Sequence, residues 1–119
     1  MRIILVNPFD ETVKEGVYGG DYREISDLLG CRTFTVVSID EDNDLYVDDE
    51  GLLGVANQRY FRLEGLDWGT FAGMGLIMAH DDEGDSKATT FDLMELSSMV
   101  TFMPEGHKET PYMEFKAWQ

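Results

Sequence analysis

The sequence predicts a single α+β domain, with an antiparallel or mixed β-sheet and two short helices packed on it. A chain of 119 residues fits one hydrophobic core. Hydrophobic residues make up 43% and aromatic residues 12%, which excludes disorder of the low-hydrophobicity, high-charge kind. Short β-branched runs alternate with turn residues, and two helix-start patterns interrupt them. We predict a core domain over residues 1–103 and a C-terminal extension over residues 104–119.

The first elements are a central strand, its return strand and a helix. Residues 2–6 are almost continuously apolar, which is typical of a strand covered on both faces. Residues 12–18 are predicted to return beside it as an antiparallel partner. Asp21 and Glu24 have the spacing of a capping box, in which an N-cap acceptor is followed three residues later by Glu. This pattern predicts a short helix that ends at Gly30.

The middle of the chain predicts one interior strand and a hairpin. Residues 33–39 are rich in β-branched side chains and apolar on both faces at their end, so we expect an interior strand. Residues 45–47 are short, β-branched and aromatic. The turn sequence 48–51 follows them, and we expect it to lead into a partner strand at Leu52-Leu53.

The turn sequence of residues 48–51, Asp-Asp-Glu-Gly, recurs at residues 81–84. It lies there between an apolar run over 76–79 and a candidate strand over 87–91. A second hairpin is therefore predicted there. Glycines 73 and 75 stand at the entrance of the strand over 76–79, where they indicate close approach of another backbone or side chain.

The remaining elements are a strand with two arginines, a second helix and a tail. Residues 58–63 are predicted to form a strand from which Arg59 and Arg62 reach outward. Asp92 and Glu95 repeat the capping-box spacing and predict a second helix, followed by a short strand over 100–103. In the tail, apolar and charged residues alternate over 113–117. This pattern predicts an edge strand on this sheet or on that of a second copy, which would make a homo-oligomer.

The charge balance is the strongest functional signal. The chain has 24 acidic and 9 basic residues, for a formal net charge of −15. Direct binding of nucleic acid is disfavoured, because affinity for phosphates depends on Lys and Arg. A partner protein with a basic surface is favoured instead. The alternative is that the acidic exterior only keeps the protein in solution.

Other compositional features exclude several classes. No apolar run reaches the roughly eighteen residues of a membrane span, and the opening apolar run is too short for a signal peptide. We therefore expect a cytoplasmic protein that does not contact a membrane. The single cysteine, Cys31, excludes an intramolecular disulfide and a multi-cysteine metal site.

The acidic residues are concentrated around the turns, and these are the candidate binding residues: Asp40, Glu41, Asp42, Asp44, Asp48, Asp49, Glu50, Asp81, Asp82 and Glu83. A calcium-binding loop that opens at Asp40 would need Gly at its sixth position and Glu at its twelfth. The sequence has Leu45 and Gly51 there. We predict no metal and no cofactor.

The order of motifs resembles a family of phages and plasmids, the domain of unknown function 3846. The resemblance covers residues 1–103. Its matching segments are the opening strand with Asn7-Pro8, residues 21–31, residues 45–52, Asn57 before Tyr60-Phe61, Ala72-Gly73 before Leu76, and residues 82–84 before the second helix. The resemblance implies a small α+β protein of mobile elements with no assigned activity, so no catalytic residues are carried over.

The first functional hypothesis is a phage or mobile-element accessory protein that binds a basic site on a host protein. As a nucleic-acid mimic it would act against a host defence or on transcription. If Asp40, Asp42 and Asp44 share one face of a strand, successive carboxylates lie roughly 6.6 Å apart, which is compatible with the spacing of phosphate charges along a DNA duplex.

Two alternatives belong to other classes. One is a metal-dependent hydrolase in which His80 works with the carboxylates of residues 81–83. The other is a sponge for a nucleotide-like small ligand, with a pocket formed by Arg59, Arg62, Trp68 and Phe71. Because no catalytic constellation is found, we expect a non-catalytic role.

Overall fold

The computed structural model describes residues 1–49, 58–64 and 70–104, which form nine strands and two helices. In chain order these elements are β1 (Arg2–Asn7), β2 (Thr12–Val17), α1 (Tyr22–Leu29), β3 (Phe34–Ser38), β4 (Asn43–Asp48), β5 (Tyr60–Leu63), β6 (Phe71–Ala72), β7 (Gly75–His80), β8 (Ser86–Lys87), α2 (Leu93–Met99) and β9 (Val100–Phe102). Every pair of described strands is antiparallel. The α+β prediction is confirmed.

The main sheet has the strand order β2-β1-β7-β4-β3, and β8 pairs with the end of β7. β1 lies between β2 and β7, so the prediction of a central first strand with an antiparallel return strand is confirmed. β7 is buried along its length up to His80, which is half-buried. Its continuous apolar sequence fits a strand with neighbours on both edges and cover on both faces.

A second sheet has the order β6-β5-β9, so the prediction of one sheet is wrong. The strands predicted over 58–63 and 100–103 are confirmed as β5 and β9, but they pair with each other. Gly75 allows the two sheets to meet, because a Cβ there would lie 2.7 Å from Cζ of Phe61. The predicted close approach at the entrance of β7 is therefore confirmed.

Two apolar clusters cover the two faces of the main sheet. In β7, Ile77 joins the cluster that packs on β5 and α2, whereas Leu76 and Met78 join the cluster under α1. This division follows from the period of two in a strand. The helices contact these clusters through the buried residues Leu96 of α2 and Ile25 and Leu29 of α1.

Both helices are confirmed, but the caps differ from prediction. Asp21 accepts a hydrogen bond from Arg23 N (3.0 Å), and Gly30 ends α1 with φ of 68°. The carboxylate of Glu24 accepts from Gly19 N (3.1 Å), not from the N-cap itself. Asp92 precedes α2 but makes no side-chain cap hydrogen bond, so the second capping box is wrong.

The prediction that β3 is an interior strand is wrong. β3 is the last strand in the order of the main sheet, with Thr35 and Val36 exposed, and is not interior. β4 pairs with β3 on one side and with β7 on the other, and its predicted partner strand at residues 52–53 lies outside the described residues. Among the described strands, the hairpin partner of β4 is β3, which is joined to it by residues 39–42. The second hairpin is confirmed as β7–β8, with β8 only two residues long.

Several predictions fall outside the described residues. They concern Glu50, Leu52-Leu53, Trp68 and the tail after Pro104, including its edge strand and its proposed role in a homo-oligomer.

Candidate acidic interface

Two acidic turns meet at one end of the main sheet. Asn43, the first residue of β4, pairs with Ala79 near the end of β7, so the β3–β4 turn and the β7–β8 turn leave the sheet together. The backbone N–H of His80 donates to the carbonyl oxygen of Asp42 (2.8 Å) and joins the two turns directly. Segments 38 residues apart in sequence thus become neighbours.

We call this region the acidic end. Its carboxylates are Asp40, Glu41, Asp42, Asp44, Asp81, Asp82, Glu83 and Asp85. Most of the predicted acidic residues are therefore brought together. The exceptions are Asp48 and Asp49, which lie at the other end of β4, and Glu50, which is outside the described residues. Sequence reasoning missed Asp85, although it follows Gly84 in the same turn.

The carboxylate of Asp40 shapes its own turn. Its Oδ1 accepts hydrogen bonds from Asp42 N (2.8 Å), Asn43 N (2.7 Å) and Asn43 Nδ2 (3.2 Å). Burial raises the pKa of Asp40, but the hydrogen bonds from Asn43 and Asp42 and the proximity of His80 outweigh it, so the pKa lies below its ordinary value.

The expected alignment of carboxylates along a strand is wrong. Asp40 and Asp42 lie in the β3–β4 turn, and of the three predicted residues only Asp44 lies in β4. Their spacing is set by the turn and not by the repeat of an extended chain. The argument for a nucleic-acid mimic from a strand repeat of roughly 6.6 Å therefore does not apply.

The β7–β8 turn is built in the same way. Asp81 Oδ1 accepts from Glu83 N (2.9 Å) and from Asp85 N (2.9 Å). Gly84 follows with φ of 87°, a conformation that glycine adopts without steric cost. Asp40 and Asp81 thus hold the two turns, while the exposed carboxylates around them are Glu41, Asp42, Asp82, Glu83 and Asp85.

His80 pairs with Asp44 and not with the carboxylates that follow it in sequence. Its Nδ1 lies 2.6 Å from Asp44 Oδ2, in a pair with side-chain exposures of 34% and 13%. The two residues meet because β4 and β7 are antiparallel neighbours and Asp44, which pairs with Met78, lies diagonally across from His80 on the same face of the sheet. Asp81, assigned to the hydrolase hypothesis, turns its carboxylate into its own loop. Within the described ranges, no three His, Cys, Asp or Glu residues are placed to hold a metal ion.

Asn43 is a buried residue that sequence reasoning missed. It is 0% exposed, and its Nδ2 donates to Thr90 Oγ1 (2.7 Å) as well as to Asp40. Its Oδ1 accepts from Thr89 Oγ1 (2.7 Å) and from Thr90 N (3.2 Å). Every donor and acceptor of the amide is used. Asn43 therefore ties the β3–β4 turn to the segment that enters α2.

The residues predicted to form a ligand pocket have separate partners. Arg59 makes an ion pair with Glu11 (3.5 Å) and is 17% exposed, so its predicted outward position is wrong. Arg62 is exposed as predicted, and its Nε donates to Thr70 Oγ1 (3.2 Å). Phe71 is buried against Phe61, with ring centroids 5.5 Å apart. Trp68 lies outside the described residues.

Cys31 lies beside the cluster under α1. Burial raises the pKa of its thiol, and the charge of Asp48 raises it further. A thiol in this environment stays protonated near neutral pH and is a weak nucleophile.

The fold and this site define a small α+β protein whose main sheet ends in two adjoining acidic turns. The chain belongs to the family described as Domain of unknown function (DUF3846), whose sequence model matches residues 1–101. The resemblance noted from the motifs is thereby confirmed, and the family description assigns no activity. Neither a curated protein nor a solved structure matches the chain. In the part of the chain that the structure describes, no helix has the length and apolar character needed to cross a membrane.

Proposed function

We propose that the acidic end binds a basic surface of a partner protein and that the role is non-catalytic. The observation that supports this proposal is the pairing of β4 with β7, which holds two acidic turns side by side. Charges gathered in this way produce a stronger local field than the same charges spread over the surface. Such a field accelerates encounter with a complementary surface and selects against acidic partners.

The construction of the turns supports the same role. Asp40 and Asp81 use their carboxylates internally, and Asn43 anchors one turn to the core. The exposed carboxylates are thus carried by turns whose backbone is already ordered. Binding then orders few additional groups, which lowers the entropic cost of association.

In its finer form, the proposal is that a phage or mobile element carries this protein and that its target is a host protein. A target that normally binds nucleic acid would make the protein a mimic or an inhibitor of host defence. Support for this form is the acidic composition, with 24 acidic against 9 basic residues, together with the exposed carboxylates of the acidic end. A competition experiment tests this finer form. If the protein mimics nucleic acid, duplex DNA must displace it from the target.

The experiment is affinity capture from host lysate with two variants that remove the same number of charges. The test variant carries four substitutions at the acidic end: Glu41→Gln, Asp42→Asn, Asp82→Asn and Glu83→Gln. The control variant neutralises four exposed carboxylates elsewhere: Asp10→Asn, Asp27→Asn, Asp49→Asn and Glu64→Gln. Both variants have the same net charge, so only the position of the lost charges differs.

A partner of the acidic end is retained by the natural protein and the control variant at about 0.1 M salt and released at about 1 M, where the Debye length shortens from about 10 Å to about 3 Å. The test variant retains much less of it. Equal retention by both variants would show that only net charge matters, and the proposal would then be abandoned.

A further inference from the structure

Among the described strands, β3 forms one edge of the main sheet, and it contains no charged residue. Its sequence is Phe34-Thr35-Val36-Val37-Ser38, in a chain with 33 charged side chains in total, 24 acidic and 9 basic. At the opposite edge, β2 carries Lys14 and Glu15. Charged residues on an edge strand are a common means of preventing pairing with another chain. β3 lacks this protection, and Val36 at its centre is 48% exposed.

The hydrogen bonds at the two ends of β3 show which of its backbone groups point away from β4. Ile39 N donates to Asn43 O (2.9 Å), and Asp49 N donates to Thr33 O (3.2 Å). The odd-numbered residues therefore bond to β4, and successive residues alternate in direction. The N–H and C=O groups of Phe34, Val36 and Ser38 consequently point away from β4, where no other described strand lies.

We propose that β3 pairs antiparallel with β3 of a second copy of this chain, about a twofold axis at Val36. The register follows from maximum overlap of the five residues. Val36 then lies opposite Val36, and Phe34 lies opposite Ser38, so all the outward-facing backbone groups become hydrogen-bonded. Such an interface is isologous, as expected for a twofold dimer, and it is formed by strand addition.

At the two ends of β3, local charge complementarity favours a second copy as the occupant of this edge. Arg32 precedes β3, and the acidic turn beginning with Asp40 follows it. In the antiparallel register centred on Val36, Arg32 of each copy lies opposite Asp40 of the other. No two like charges face each other along the paired residues, so the side chains flanking the strand favour this register. Antiparallel pairing also places the two acidic ends at opposite ends of the paired strands, so they do not face each other.

The net charge of −15 on each copy opposes this association. Salt screens the repulsion, so the dimer is expected to form more readily as salt rises. The salt dependence is thus opposite in sign to that of binding a basic partner by the acidic end. The two proposals can therefore fail separately.

The test combines sedimentation velocity with amide hydrogen exchange on the full chain, over about a hundredfold range of protein concentration at about 0.1 M and about 1 M salt. We expect the mass to rise toward that of two chains with concentration, more readily at high salt. The amides of Phe34, Val36 and Ser38 gain protection over the same range. Those of Thr35 and Val37, already bonded to β4, change little.

Two variants block the edge without removing a bond to β4. Val36→Pro deletes only an N–H that faces outward, and Val36→Lys places two positive charges together on the twofold axis. The control is Val17→Lys, which adds the same charge at a 78% exposed valine of the other edge strand. Circular dichroism checks that each variant keeps its fold. Both Val36 variants are expected to stay monomeric, whereas the control associates as the natural protein does.

A natural protein that remains monomeric at all concentrations and both salts overturns the proposal. Undiminished association of a folded Val36 variant does the same. A third result would also overturn it: the amides of Phe34, Val36 and Ser38 are protected at every concentration, and the protection is lost when residues 105–119 are removed. The edge would then be assigned to the tail of the same chain.

Discussion

Replacement of Asn43 with Ala tests whether the acidic end rests on a buried polar anchor. The substitution removes an amide that is 0% exposed and that bonds Asp40, Thr89 and Thr90. Thr89 is buried, so water cannot fully replace the bond lost there, whereas Thr90 is exposed to solvent. The β3–β4 turn also loses its link to the segment before α2.

The expected cost follows from these contacts. A neutral hydrogen bond contributes about 0.5–1.5 kcal/mol net, a buried group left unsatisfied costs about 1–3 kcal/mol, and these terms overlap because the freed hydroxyl groups can find other partners. We therefore expect Asn43→Ala to lower the free energy of unfolding by about 2–4 kcal/mol. This is a large fraction of the stability of a typical small domain, which is about 5–15 kcal/mol.

The assay is equilibrium unfolding in urea, monitored by circular dichroism. The midpoint should fall while the slope m stays unchanged, which identifies a loss of stability in the same folded structure. The control is Asn7→Ala, since Asn7 accepts from Phe9 N (2.9 Å) and Asp10 N (3.2 Å) in an exposed turn. Its cost should be about 0.5–1 kcal/mol. An equal effect of the two variants would refute the role given to Asn43.

Three further predictions concern pH, packing and the His–Asp pair. The pKa of folded Asp40 lies below its ordinary value of 3.8, so its contribution to stability is present above that value and is lost as pH falls through the folded pKa. When urea unfolding is measured at several pH values, the free energy of unfolding of Asp40→Asn should therefore fall less steeply in acid than that of the natural protein. Gly75→Ala should cost about 1–3 kcal/mol, because the new Cβ would lie 2.7 Å from the ring of Phe61; a melting temperature equal to that of the natural protein would contradict the close contact. His80→Ala removes the 2.6 Å contact with the Asp44 carboxylate and should cost about 0.5–1.5 kcal/mol, and an unfolding midpoint that does not change would show that the pair contributes nothing.

The elements that the sequence predicts correctly are those fixed by nearby residues. Each of these elements is determined by residues a few positions apart: the apolar run of β1, the caps of α1 at Asp21 and Gly30, and the turn of the β7–β8 hairpin. Asp81 also acts as the turn residue that its position predicts, since its carboxylate accepts from two backbone N–H groups.

The errors concern choices between distant partners. Residues 40–42 and 48–51 both have turn-forming composition, and only the placement of β7 beside β4 decides that β4 is a partner of β3. β3 resembles an interior strand because Val37 and Ile39 pack on the core from an edge position. Local periodicity contains no information on strand order.

The candidate site was predicted in composition but not in geometry. Acidic turns are visible in the sequence, but their meeting depends on the antiparallel register of Asn43 with Ala79. The contact of His80 with Asp44 depends on the same register. The role of Asn43 is not visible in the sequence, because a single polar residue at the start of a strand, among acidic neighbours, resembles a solvated turn residue.

The most direct test of the central claim is the dissociation constant of a captured partner, titrated with the natural protein, the four-site variant of the acidic end and its charge-matched control. Exposed ion pairs contribute about 0.2–1 kcal/mol each, so loss of four at about 0.5 kcal/mol predicts weakening of about thirtyfold for the test variant. The control should stay within about threefold of the natural protein, since only long-range charge is lost. Equal weakening of the two variants, or an affinity that does not fall as salt rises, would contradict the assignment of binding to the acidic end.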